Sequence, residues 1–353
     1  MLRKISFLAI TISITTLTLA QDSSKTSALK LSGSADVYYR YNFQNPKASP
    51  YNSYTGFTHS QNSFELGMVS VKAEHSLGKA SFVVDLGFGT RAEEFSYNDD
   101  NTRFAVKQAY VTYAPSSSIK FTFGSWATHI GYEVLDAYLN RNYSMSYMFS
   151  YGPFSHTGIK ADIALNEKTG FMIGVANPSD FKSFSGAPKT ILAQFSTSSS
   201  NDKLKLYLNF QGGKQNDFKK LVQGDVVLTY ALSNKLSLGY NGTIQSVKSK
   251  PTDETLPKTW TSFNWWGSAL YVNYDPVQWF GLTLRSEFVN DKDEYIGVKN
   301  VFAPTLSGNF RIDDLTIIPE FRLDKAKNAV FTKSNGDAIK STGSFAVAAV
   351  YHF

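Results

Sequence analysis

From residue 30 onward, apolar and polar positions alternate with a period of two almost throughout, and helical spacing is scarce. Leu31, Gly33, Ala35, Val37, Tyr39, Tyr41 and Phe43 share one face of an extended segment, while Lys30, Ser32, Ser34, Asp36, Tyr38, Arg40 and Asn42 share the other. The pattern returns in Ala80/Phe82/Val84/Leu86/Phe88 and in Leu204/Leu206/Leu208/Phe210. It recurs in Leu236/Leu238/Tyr240, Phe280/Leu282/Leu284 and Leu315/Ile317/Phe321/Leu323. Each of these runs predicts a strand with one apolar and one polar face.

The connections alternate as well. Tight turns are expected at 77–79, 115–118, 166–168, 199–202, 233–235, 275–278 and 313–314. Longer polar segments lie near 44–61, 90–102, 125–156, 178–188, 213–220, 247–259, 290–296 and 326–341. Seven short turns and eight long loops, with both ends of the sheet on the short-turn side, give sixteen strands. That layout is the one expected of an up-and-down antiparallel barrel in an outer membrane. A pair of soluble domains has no reason to sort its loops by length.

Composition narrows the choice. The chain has 27 Phe and 20 Tyr, yet Gly, Ser, Thr and Asn are abundant, so one oily core has no obvious place. Cysteine is absent, which excludes disulfides and thiolate metal sites. The formal charge of +6 is mild and dispersed and does not imply nucleic-acid binding. After residue 20 no apolar stretch is long enough for a membrane helix, so a membrane location requires closure of the sheet. Arg3 and Lys4, the apolar run Ile5–Leu19 and the small residues before Gln21 read as a cleaved signal peptide over 1–20. The barrel is then residues 21–353 in the outer membrane, in contact with its lipid.

A closed barrel turns one face of every strand toward lipid and the other toward the lumen. Sixteen strands enclose a space too wide for side chains to fill, so a water-filled interior is expected. Polar alternate residues would be costly in a dry core and are comfortable there. At the C-terminus Phe345, Val347, Ala349, Tyr351 and Phe353 alternate on one face and finish on an aromatic residue. Phe345, Tyr351 and Phe353 thus resemble the signal read by the barrel-assembly machinery.

The longest connection, 125–156, follows the fifth strand and is dense in hydrogen-bonding and aromatic groups, with Gly131, Gly152 and Pro153 supplying turns. An inward fold that narrows the lumen suits this composition better than an external flap. Within it, Gly131-Tyr132-Glu133, Asn142-Tyr143-Ser144, Ser150-Tyr151-Gly152-Pro153-Phe154 and His156-Thr157-Gly158 resemble β-barrel porin family 2. These are outer-membrane proteins common in Bacteroidetes and some other diderms. The resemblance extends over most of the chain beyond residue 20 and implies architecture; it brings no catalytic residues with it.

Passive transport needs a width and a field. The basic positions expected on the lumen face are Lys30, Arg40, Lys72, Lys79, Lys120, Lys160, Lys203, Lys205, Arg285, Arg311 and Arg322. The acidic ones are Asp36, Glu74, Asp85, Asp162, Asp225, Glu287, Glu320 and Asp324, which leaves a weak anion preference. Glu133, Asp136 and Arg141 are the candidates for the constriction; the competing reading is that they only hold the loop's own shape. Tyr110, Tyr113, Trp126, Trp265, Trp266, Trp279 and Phe280 are expected in the aromatic girdles.

No nucleophile elbow, Gly-rich phosphate loop or His/carboxylate metal spacing appears, so no catalytic residue, cofactor or metal is expected. The function expected is a porin for small polar solutes and ions. The alternatives are an adhesive or structural barrel with partner-binding loops and a selective sugar or peptide channel. Trimers are common among sixteen-stranded porins, but no homo-oligomer interface is readable in the sequence.

Overall fold

The computed structural model of the chain describes residues 28–186, 188–253 and 255–353. The expected signal peptide over 1–20 lies outside the described residues, as do residues 21–27 of the expected barrel. The strands are β1 (Lys30–Asn42), β2 (Ser63–Leu77), β3 (Ala80–Phe88), β4 (Val106–Ser116), β5 (Ile119–Ala127) and β6 (Ser155–Ala164). Next come β7 (Thr169–Ala176), β8 (Thr190–Ser198), β9 (Leu204–Asn216), β10 (Lys219–Ala231), β11 (Leu236–Ser249) and β12 (Thr261–Val277). The chain continues through β13 (Phe280–Asn290), β14 (Asn300–Ile312), β15 (Leu315–Ala326), β16 (Phe331–Thr332), β17 (Ala338–Ile339) and β18 (Ser341–His352).

β1–β15 and β18 form one closed antiparallel barrel of sixteen strands, as the alternation predicts. β16 and β17 pair only with each other, as a ribbon inside the last long connection. Closure is made by β18 against β1, with Val37 opposite Ala349 and Tyr41 opposite Phe345. Gly33 and Phe353 exchange backbone hydrogen bonds of 3.1 and 3.0 Å at its end. Among the described residues the sixteen barrel strands leave no edge unpaired, which is what a sheet in hydrocarbon requires.

Burial follows the alternation. On β1, Asp36, Tyr38, Arg40 and Asn42 are buried on the inner wall while Val37 is exposed on the outer one. Phe64, Val71, Phe123, Ile159, Ile244, Leu270 and Phe321 are likewise exposed outward, as lipid-facing positions should be. Of five register shifts among the described barrel strands, two bear on the inner wall. Between β1 and β2 the register slips at Asp36/Val37 and leaves Gly67 extra; between β3 and β4 it slips at Asp85/Leu86 and leaves Lys107 extra.

Three expectations need correction. The segment 213–220 is not a long loop: β9 runs to Asn216 and β10 starts at Lys219, so only Asp217 and Phe218 form the turn. The segment 275–278 is largely strand, since β12 reaches Val277. Of the expected girdle residues, Trp126 and Trp265 are buried, at 4% and 1% exposure, and Tyr110 joins the buried cluster around Trp126. Trp265 Nε1 donates to Gln245 Oε1 at 3.0 Å. Facing the inner wall, these rings pack among its side chains and not at the lipid interface, although Trp126 Nε1 has no hydrogen-bond partner among the described residues. Trp266, Trp279 and Tyr113 are exposed on the outer wall, consistent with a girdle.

Candidate pore lining and constriction

The inner wall has two unlike halves. On β2, β5 and β6 its charged groups stay partly open: Lys72 is 30% exposed, Glu74 40%, Lys120 19%, Lys160 16% and Asp162 18%. On β1 and β13–β15 most are shut away, Arg311 excepted, with Arg285 and Glu287 at 0%, Glu320 at 2% and Arg40 at 5%. A buried charge must be paired or hydrogen-bonded. Here much of the pairing comes from the connection 128–154.

That connection is tied down residue by residue. Gly131 N donates to Asp225 Oδ1 on β10 at 3.1 Å, and the Tyr132 ring stacks on Tyr271 of β12 at 4.1 Å between centroids. Glu133 Oε1 accepts from Arg285 of β13 at 2.5 Å, and its other oxygen accepts from Ser146 N at 2.7 Å. Asp136 accepts from Lys107 of β4 at 2.5 Å. Arg141 makes a two-pronged contact with Asp275 of β12 at 2.9 and 2.6 Å and donates to Thr283 of β13 at 2.8 Å. Such a planar, bidentate pair fixes orientation as well as charge.

Two carboxylates each hold a pair of successive backbone N–H groups. Glu320 of β15 accepts from Tyr143 N and Ser144 N at 2.8 and 3.1 Å. Glu287 of β13 accepts from Tyr147 N and Met148 N, both at 2.9 Å. The latter pair opens the one-turn helix α2 (Tyr147–Ser150), whose first N–H groups have no partner within the helix. Ser146 caps the same turn by accepting from Phe149 N at 3.1 Å. Tyr143 then reaches β1, its hydroxyl donating to Asp36 at 2.6 Å.

The other long connections pack on this one. In the helix α1 (Thr90–Phe95), Arg91 is fully buried, donates to the Leu135 and Tyr143 carbonyls at 3.4 Å and lies over the Tyr143 ring at 5.0 Å. Phe57, Ala92, Phe95, Leu135, Met145, Phe149 and Phe154 close into one apolar cluster with Met68. Asp180 accepts from Phe154 N, Ser155 N and the Tyr97 hydroxyl at 2.6, 2.8 and 3.1 Å. Burial nevertheless pushes its carboxyl up to about 6. Burial drives the His129 imidazole the other way, down to about 4, so it is neutral at pH 7.

The family described as "Putative beta-barrel porin-2, OmpL-like" matches residues 28–353. The chain belongs to that family. Membership places this porin-family barrel in the outer membrane. No curated protein matches it. Among solved structures it is similar to the outer membrane channel DcaP of Acinetobacter baumannii, at TM-score 0.62 and 10% identity over 95% of this chain and 100% of that one. It is also similar to the anion-selective porin from Comamonas acidovorans, at 0.61 and 12% over 93% and 100%. OmpT of Vibrio cholerae in its trimer form matches at 0.60 and 10% over 92% and 99%. At these identities the likeness is one of fold.

The positions singled out from the sequence of this porin-family chain fall as follows. Glu133, Asp136 and Arg141 come from one connection but reach three different strands. Arg40, Lys72, Arg285, Glu287, Arg311, Glu320 and Arg322 all lie on the inner wall; Lys72 and Arg311 keep about a third of their surface, and the others are buried. Arg322 is held by Asp324 at 2.9 Å and donates to the Met145 carbonyl at 2.7 Å. Phe345 packs on Phe321 with centroids 4.8 Å apart, while Tyr351 and Phe353 are exposed.

Three residues escaped sequence reasoning. Lys107 sits between Asp85 at 3.1 Å and Asp136, yet the bulge puts it out of phase with its strand. Asp275 binds both Arg141 and Arg311 but stands beside a proline that reads as a turn. Arg91 lies in what reads as a polar loop, where only its setting among Phe and Tyr residues hinted at burial.

Proposed function

We propose that this barrel is a passive channel for small polar solutes and ions, with the connection 128–154 folded into the lumen as its constriction. The observation that carries the reading is the division of the inner wall. Asp36 on β1 and Arg285, Glu287, Glu320 and Arg322 on β13 and β15 are hydrogen-bonded to the connection, whereas the charges on β2, β5 and β6 remain partly open. The conducting path then follows the open side, past Lys72, Glu74, Tyr110, Lys120, Lys160 and Asp162. Glu133, Asp136 and Arg141 serve as anchors that set the position of the constriction.

The open half also supports a weak anion preference. Lys72, Lys120 and Lys160 on β2, β5 and β6 balance Glu65, Glu74 and Asp162, and Lys205 on the inner face of β9 tips the count toward basic groups where solutes would pass. Recording the purified protein in planar bilayers tests both points. Conductance steps with a reversal potential displaced toward the anion equilibrium are expected, and Lys120→Gln/Lys160→Gln should move it toward zero selectivity. Absence of any conductance would discard the channel and favour an adhesive barrel. Phe345, Tyr351 and Phe353 are proposed as the assembly signal: deleting Phe353 should lower the fraction of folded barrel in outer membranes while leaving refolding in detergent intact.

A further inference from the structure

The loop ends of β9, β10 and β11 carry an arrangement that conduction does not explain. Lys220 is opposite Lys214 on one side and opposite Lys248 on the other, so three lysines stand in register across adjacent strands. All three are on the outer wall: Val222, Tyr240 and Ile244 on the same face are exposed, while Gln211, Gln223 and Gln245 on the alternate face are buried. Lys189, which directly precedes Thr190, extends the row, because Thr190 is opposite Gly213. Among the described residues no carboxylate forms an ion pair with Lys214, Lys220 or Lys248. Directly opposed side chains on paired strands lie about 5 Å apart, and like charges at that spacing repel.

Their height on the barrel is fixed by the strand. Between Lys220 and Tyr230 the outward residues of β10 are Val222, Gly224, Val226 and Leu228. That step of ten residues, at about 3.3 Å each and a tilt near 40°, rises roughly 25 Å, the height of an outer-membrane apolar band. The lysines therefore stand at its long-loop boundary, where headgroups begin. Trp260 joins them, with Lys220 Nζ 4.5 Å and Lys250 Nζ 5.2 Å from its ring centroid. An indole beside cations at this level is the usual furnishing of a headgroup zone.

We propose that Lys214, Lys220 and Lys248 bind the phosphate of an outer-leaflet lipid headgroup, whose acyl chains lie on the apolar wall below. A phosphate placed among them converts mutual repulsion into three charge-assisted contacts, and Lys supplies the point charge for it. The site depends on the barrel's membrane placement and not on its conductance.

Native mass spectrometry of the full chain in detergent tests this, with diphosphorylated lipid A, the same lipid stripped of phosphate, and inorganic phosphate as probes. Retention of the diphosphorylated lipid should exceed that of the stripped lipid by about tenfold or more. The variant K214Q/K220Q/K248Q should lose a similar factor, and K220Q alone roughly fivefold. K203Q/K235Q, at the short-turn end, should retain the lipid as the parent does. Heat-modifiable mobility establishes that each barrel is folded, and the single variant decides the matter if the triple one is not. Equal retention of both lipids, or no loss in K220Q, overturns the proposal. Displacement of the lipid by millimolar inorganic phosphate overturns it in favour of a free-anion site.

Discussion

At Gly67 a side chain has nowhere to go. A Cβ there would lie 1.8 Å from Asp36 Oδ2 and 2.6 Å from the Tyr143 hydroxyl. The bulge supplies the residue, and its missing side chain lets Tyr143 donate to Asp36. Gly67→Ala should break that bond and cost roughly 1–3 kcal/mol, read as a lower denaturant midpoint. Arg285 poses the opposite case, since its guanidinium is fully buried against Glu133 and the Ser144 carbonyl. Arg285→Ala strands a carboxylate and should cost roughly 3–5 kcal/mol, with part recovered in Arg285→Ala/Glu133→Ala; additivity of the two would show that they do not act as a pair. The facing of Arg285 is legible in the sequence because its strand keeps period two. Lys107 and Gly67 are not legible, because a bulge shifts the phase by one residue and leaves no mark in composition.

The connection 128–154 is held as an element by carboxylates that each take two adjacent N–H groups. Glu287→Ala together with Glu320→Ala frees four such donors and should loosen the segment against β13 and β15. Single-channel records are then expected to show larger conductance and faster flicker; an unchanged open level would place the constriction elsewhere. Its C-terminal end is tied to Asp180, whose carboxyl is raised from an ordinary 3.8 to about 6. The folded state thus holds a proton that the unfolded chain releases between these values. Stability from this group is fully present below about 4 and lost as pH rises through 6, by up to about 3 kcal/mol. Thermal midpoints of the parent should therefore fall relative to Asp180→Asn across pH 4 to 6. Parallel curves would remove Asp180 from the pH dependence. That the long segment exists was legible from its length and aromatic content. Its partners were not, since Glu133 and Arg285, or Tyr143 and Glu320, meet only because the barrel brings distant strands around to face them.

For the whole molecule, sixteen strands follow from alternation and turn spacing, because lipid on one side and polar surroundings on the other impose the same period on every strand. What alternation does not convey is how the interior is filled. A wide barrel predicts water, yet one half of this inner wall meets protein groups instead, through contacts that no local pattern encodes. The ribbon of β16 and β17 escaped for a related reason: two residues a side carry no period, and Phe331 is buried only once Tyr54 meets it at 5.6 Å.

The seam between β1 and β18 sets an order in time. Every other barrel strand pairs with its neighbour in sequence, so each hairpin finds its partner within a short stretch of chain. β1 is the first strand to be made and waits for the last. Until β18 arrives, the growing sheet has two free edges, each able to template a foreign strand. Closure is thus the pairing that spans the greatest length of chain, and it removes both edges at once.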